Sequence, residues 1–232
     1  MSEIGIRRGA RTKWWGRSAR QWEDQSRDSI VRRYDRIAGL IPLFDWLLFQ
    51  PPGFRRKAVS RLRLQPGESV LEIGCGSGRN LPYLHEAVGK SGRIYGVDIS
   101  SGMLARARDL SAHGRWSNVC LTQADALDYR APEPLDAVLF GLSYNTMPHH
   151  LAVLHNAWNQ LRSGGRVVIM DAKLPPGRGG ELVLPFSLWL MKRTMLGNPL
   201  IRPWEDLARL TNDFSMEHFM FDSYYIATGV KE

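Results

Sequence analysis

From Ser69 onward the chain alternates between short runs of β-branched and apolar residues and stretches in which apolar positions recur every three or four residues. That alternation is the mark of βαβ units, which lay parallel strands side by side with a helix crossing between them. Ser69–Ile73 (SVLEI) predicts a first strand and residues 93–97 (RIYGV) a second, with a helix over 80–88 between them. Ser100 or Ser101 can cap the next helix, where Met103, Leu104, Ala107 and Leu110 share one face. Val119–Gln123 predicts a third strand, and residues 135–140 (LDAVLF) a fourth, apolar enough to be buried on both faces. Pro148 suits the first turn of a helix ending near Leu161, after which Ser163-Gly164-Gly165 turns the chain into a fifth strand over 166–170. Residues 216–221 and Tyr224–Val230 complete seven strands, joined tightly at Asp222-Ser223. The fold class is therefore α/β, built on one Rossmann-like sheet.

Two regions stand outside this pattern. Residues 1–33 are basic and carry Trp14, Trp15 and Trp22, which suggests an arm or helix placed ahead of a main domain over 34–232. Residues 174–204, rich in Pro, Gly and bulky apolar side chains, look like an insertion over the active site. A length of 232 residues suits one sizeable domain with such an extension. Hydrophobic and charged contents of 44% and 23% argue against global disorder. The net charge of +8 favours an anionic partner: nucleic acid, an acidic membrane surface or an acidic substrate. Cys75 and Cys120 lie apart from any His/Cys cluster, so no metal is expected and reduced thiols in a cytoplasmic protein are the simple reading. No early apolar run resembles a signal peptide, and no apolar stretch is long enough to span a bilayer.

The most informative segment is VLEIGCGSGRN, residues 70–80. A strand that ends in three alternating glycines and opens a helix lets a ligand approach bare backbone, because no Cβ atoms intervene. Gly74, Gly76 and Gly78 do not satisfy the G-x-G-x-x-G spacing of a dinucleotide site. Close strand–helix packing is the competing explanation for such a turn. Asp98, at the end of the second strand, is placed to accept hydrogen bonds from both ribose hydroxyls of an adenosine, or else to cap the next helix. Asp125, after the third strand, can accept from an adenine amino group. Glu72 puts negative charge under the turn, awkward beside a pyrophosphate and favourable beside an ammonium and a sulfonium.

Together these residues, with the Ser163-Gly164-Gly165 turn, resemble class I S-adenosylmethionine-dependent methyltransferases across residues 70–171. The resemblance implies a doubly wound seven-stranded sheet with an antiparallel last strand and S-adenosylmethionine at the C-terminal edge. It also implies a donor site made from Glu72, Gly74, Gly76, Gly78, Asp98, Ile99, Met103, Asp125, Ala126 and Gly141. Residues 141–145 (GLSYN) depart from the Asn-Pro-Pro-Tyr motif of families that methylate base amines or glutamine amides. Upstream, RRYDRIA at 32–38 followed by Phe44-Asp45 is similar to the entry helix of ubiquinone/menaquinone biosynthesis methyltransferases and bacterial phospholipid N-methyltransferases. That likeness implies a lid contact for Tyr34, including a cation–π contact with a sulfonium or ammonium.

Methyl transfer is an in-line displacement, so alignment and exclusion of water matter most, while a base helps a phenol or an activated carbon. Tyr144, His149 and His150 follow the fourth strand and are the candidates there, with at most one of the adjacent histidines pointing inward. Phe186, Trp189, Met191 and Met195 beside Lys192 and Arg193 fit a lipid-like acceptor with an anionic head group, or an ordinary buried helix with a basic edge. The tryptophans and cations of the N-terminal arm favour an anionic bilayer surface over nucleic acid. The reading reached from sequence is methyl transfer to an amphipathic or membrane-associated acceptor, first a phospholipid amine. C-methylation of a polyprenylated quinone ring is the alternative, followed by a basic RNA-binding methyltransferase or a silent Rossmann binding module. The sequence leaves oligomeric state undefined.

Overall fold

The computed structural model describes residue 32 and residues 51–173, 197–198 and 200–232. Its elements in chain order are α1 (Phe54–Arg61), β1 (Ser69–Ile73), α2 (Leu81–Val88), β2 (Arg93–Asp98), α3 (Ser101–Gly114), β3 (Val119–Gln123) and β4 (Leu135–Gly141). A 3-10 turn at Tyr144–Thr146, α4 (His150–Gln160), β5 (Leu161–Ala172), α5 (Pro203–Ala208), β6 (Phe214–Phe219) and β7 (Tyr224–Val230) follow. Strand order is β3-β2-β1-β4-β5-β7-β6. β1 to β5 pair in parallel, whereas β7 is antiparallel to both β5 and β6. The expected doubly wound seven-stranded sheet with its reversed last strand is thus present.

Burial explains why the central strands read as continuous apolar runs. All five residues of β1 and six of the seven in β4 are buried, as strands covered on both faces must be. On one face Val70, Ile94, Ala137, Leu139 and Val168 pack against Phe54, Ala58 and Val59 of α1 and Leu81, Leu84 and Val88 of α2. On the other, Leu71, Ile73, Val138, Phe140 and Ile169 meet Val153, Leu154 and Ala157 of α4 and Leu207 of α5. Ser100 caps α3 by accepting from the Met103 amide at 3.1 Å. At the N-terminal edge of the sheet, buried Asp136 accepts from the Ser69 amide at 2.6 Å and pairs with Arg162, locking β1 to β4 and β5.

Several boundaries differ from expectation. β5 begins at Leu161, which pairs with Leu135 ahead of a register shift. Ser163-Gly164-Gly165 therefore bulges within the strand, where Gly164 (φ 77) donates to the Lys231 carbonyl at 2.8 Å. The last hairpin starts and turns earlier, at Phe214 and at 220–223. Helices α1 and α5 were not anticipated; α5 straddles the boundary drawn for the insertion, whose residues 174–196 lie outside the described residues. The basic arm over residues 1–31 and Tyr34 lie outside them too.

Candidate donor site and its neighbourhood

The glycine turn is tied to the end of β2, since Gly74 and Cys75 both donate to the Val97 carbonyl, at 2.8 and 3.1 Å. Gly74, Gly76 and Gly78 all have positive φ, at 67°, 54° and 81°, which only glycine adopts at little cost. They differ in what surrounds them. A Cβ on Gly74 would lie 2.6 Å from Ser143 Cβ, and one on Gly78 2.7 Å from Leu81 Cδ1, whereas one on Gly76 would meet nothing within 4 Å. Gly74 and Gly78 are therefore packing glycines, and Gly76 leaves bare backbone facing open space.

Asp98 is fixed beside that opening. Its Oδ2 accepts from the Gly76 amide at 2.8 Å and its Oδ1 from the Ser100 amide at 2.9 Å. A carboxylate offers about four acceptor positions, so these amides orient it without exhausting its capacity for hydroxyl donors. The main chain links the remaining acids to the same edge: the Ala124 amide donates to the Asp98 carbonyl at 3.2 Å, and Asp125 Oδ1 accepts from the Leu127 amide at 2.9 Å. Ile99 and Ala126 are half-buried alongside. Met103 is 1% exposed and belongs to the core that supports the site.

Glu72 is buried beneath the turn. Its Oε1 accepts from Asn80 Nδ2 at 2.6 Å, and Arg55 Nη1 donates to Asn80 Oδ1 at 3.0 Å. Its Oε2 is buried with no hydrogen-bond partner among the described residues. Burial pushes the Glu72 carboxyl up to about 7, with the Asn80 amide and the Arg55 charge pulling the other way. Gly141 has its own reason to be glycine: a Cβ there would lie 2.3 Å from Asn80 Nδ2. Its bare α-carbon makes room for the Asn80 bridge.

The post-β4 candidates separate. Tyr144 is fully buried, edge-on to Phe140 and His150 with ring centroids 5.3 Å apart, and its hydroxyl donates to Asp206 Oδ2 at 3.1 Å. Burial and the nearby Asp206 push its phenol far up, and its ring packs in the core. His149 is exposed and caps α4 through its carbonyl, which accepts from the Val153 amide at 3.0 Å. Its neighbour His150 points inward instead, with Nε2 3.9 Å from Asp206 Oδ2.

Further polar groups, not anticipated, lie at the ends of β5 and β7. Asp171 is buried and accepts from the Ala172 amide at 2.8 Å, and burial pushes its carboxyl up to about 7. It pairs in register with Tyr225, whose hydroxyl is buried with no partner among the described residues. Trp204 stands edge-on to the Tyr225 ring at 5.0 Å, and Lys173 lies over Trp204 at 5.1 Å. Among the described residues no group of three or more His, Cys, Asp or Glu could hold a metal ion.

The sheet order, the glycine turn and the acids Glu72 within β1, Asp98 at the end of β2 and Asp125 after β3 are similar to those of class I S-adenosylmethionine-dependent methyltransferases. Residues 70–165 match the model of a methyltransferase domain. Among curated proteins, the demethylmenaquinone methyltransferase of Alkalihalophilus pseudofirmus is 29% identical over 150 residues, covering 64% of this chain and 61% of the relative. That of a Geobacillus species is 28% identical over 149 residues, covering 64% and 62%. The match thus spans about three fifths of the length of those relatives. Among solved structures, a SAM-dependent methyltransferase from Aquifex aeolicus superposes with a TM-score of 0.58 at 18% identity, covering 81% of this chain and 96% of that one. Phosphoethanolamine N-methyltransferase 2 of Haemonchus contortus, in complex with S-adenosyl-L-methionine, gives 0.61 at 16% identity, covering 76% and 52%. At such identities the structural likenesses speak for the fold alone.

Proposed function

We propose that this chain transfers the methyl group of S-adenosylmethionine to a ring carbon of a polyprenylated quinol of the demethylmenaquinone class. The observation that carries the donor is the pairing of bare Gly76 backbone with an Asp98 carboxylate held by the Gly76 amide. Asp98 would take the ribose hydroxyls and Asp125 the adenine amino group. The orphaned Oε2 of Glu72 suits a cationic donor, and a pyrophosphate would meet repulsion there. When bound, S-adenosylmethionine supplies an electrophilic methyl group on a sulfonium.

The acceptor reading draws on the demethylmenaquinone methyltransferases that the chain resembles. Beyond the sequence, amine methylation is matched here by a fold-level likeness to a phosphoethanolamine N-methyltransferase. A quinol ring carbon becomes a better nucleophile when the neighbouring hydroxyl loses its proton. His150, backed by Asp206, is the residue suited to receive that proton, in place of exposed His149. The test is to incubate the full chain with methyl-labelled donor and vesicles holding either reduced demethylmenaquinone or phosphatidylethanolamine, then analyse the extracted lipids by mass. One methyl on the quinone ring is expected. Label on the lipid amine would overturn the acceptor assignment and keep the donor; label on neither would remove both acceptors.

A further inference from the structure

The tip of the β6–β7 hairpin departs from what a tight turn in water requires. Met220, Phe221 and Asp222 follow one another at φ 48°, 55° and 68°, a region that glycine and asparagine enter readily and bulky side chains resist. The turn is closed by the Ser223 amide donating to the Met220 carbonyl at 3.1 Å. Phe221 is 96% exposed and Met220 44%, so the fold gains almost no burial from Phe221 and only about half of what Met220 could give. A local rule broken without structural gain points to a function for the residues that break it.

The tip's position gives that function a direction. Because β7 is antiparallel to both β5 and β6, the β6 chain runs with β1–β5 and its turn emerges at the edge that carries Gly76 and Asp98. The Lys173 amide donates to the Ser223 carbonyl at 2.8 Å, fastening the tip to the end of β5. Four strand spacings separate β6 from β1, roughly 19 Å across the sheet. Charge points the same way. Lys173 pairs with Asp222, and Lys57 and Arg61 both pair with Glu217, so three cations meet the hairpin's two carboxylates. An apolar tip above a base with that one positive charge in excess complements an anionic lipid surface, with the Phe221 ring below the head groups and the cations nearer to them.

We propose that this hairpin is a membrane-contact finger, inserting Phe221 and Met220 into the bilayer interface so that the donor edge of the sheet faces an acceptor dissolved there. Its purpose rests on the lipophilic-acceptor reading, but its test contains neither donor nor acceptor, so the two can fail separately. The full chain is sedimented with vesicles of phosphatidylcholine and phosphatidylglycerol. The double variant Met220→Asn/Phe221→Gly carries residues that favour the turn's backbone, so it should melt no lower than wild type while binding vesicles about tenfold more weakly. Phe221→Trp, which keeps an interface-seeking ring, should bind as wild type does. Unchanged vesicle binding in the double variant, or no binding by wild type, would overturn the proposal. So would a wild-type dimer that dissociates in the double variant while vesicle binding stays the same, since the tip would then be a contact between copies.

Discussion

The two halves of the sheet's C-terminal edge are built by different means. Over β1, β2 and β3 the geometry is set by main chain: three positive-φ glycines, and amides of Gly76 and Ser100 that hold Asp98. Over β4, β5 and β7 it is set by side chains that meet from distant segments, with Tyr144, Asp171, Asp206 and Tyr225 drawn into the core.

The largest effect expected is at the packing glycines. Gly78→Ala combines a left-handed backbone, roughly 1–2 kcal/mol, with overpacking against Leu81 and Ala107, about 1–3 kcal/mol, so urea unfolding should show a loss of about 3 kcal/mol. Gly76→Ala carries the backbone cost without the clash, so about 1 kcal/mol of stability is expected to go together with at least a tenfold loss of donor affinity. If Gly76→Ala were to cost as much stability as Gly78→Ala and leave donor binding intact, the division between packing glycines and an open one would fail.

A comparable effect is expected from pH, and it distinguishes the halves. The Glu72 and Asp171 carboxyls both sit at about 7, above ordinary values of 4.5 and 3.8, because burial disfavours their charge. The folded chain therefore holds protons that the unfolded chain releases, and stability contributed by these groups falls as pH rises from about 4 through about 7. For Glu72 the shift corresponds to on the order of 3 kcal/mol. The groups facing Glu72 are Asn80, Arg55, Asp98 and Cys75. An ammonium brought to Glu72 by the donor favours its carboxylate, so donor binding should release a proton and tighten as pH rises through the same window. Glu72→Gln should abolish the proton release, measured by calorimetry in buffers of different ionisation enthalpy. Asp171→Asn should flatten the stability profile and leave the proton release unchanged; the reverse pattern would place the donor in the wrong half.

Much of the sheet was legible because strands buried on both faces are largely apolar, as β1 and β7 are, and the half-exposed edge strand β3 also falls where the pattern put it. The donor turn was legible for a related reason: glycine spacing and a carboxylate at a strand end are local signals. Hidden from the sequence were relations in space. Asn80 reads as the first residue of a helix, yet it bridges Glu72 to Arg55 and explains Gly141. Nothing local marks Asp206, whose role depends on Tyr144, 62 positions away. Asp171 offered a faint signal as an acid directly after the apolar run VVIM. The adjacent histidines could be ranked only once the start of α4 was known, since neighbouring positions point about 100° apart around a helix and only His150 faces Asp206.

The central claim is that the glycine turn and its acids hold S-adenosylmethionine, and titration calorimetry on the full chain tests it most directly. Wild type should bind the donor in the micromolar range, roughly −8 kcal/mol. Asp98→Ala should lose on the order of 1.5–3 kcal/mol, the worth of hydrogen bonds to a charged acceptor, and NAD should give no heat. Binding of NAD by wild type without binding of the methyl donor, or an Asp98→Ala variant that holds the donor as tightly as wild type, would contradict the account.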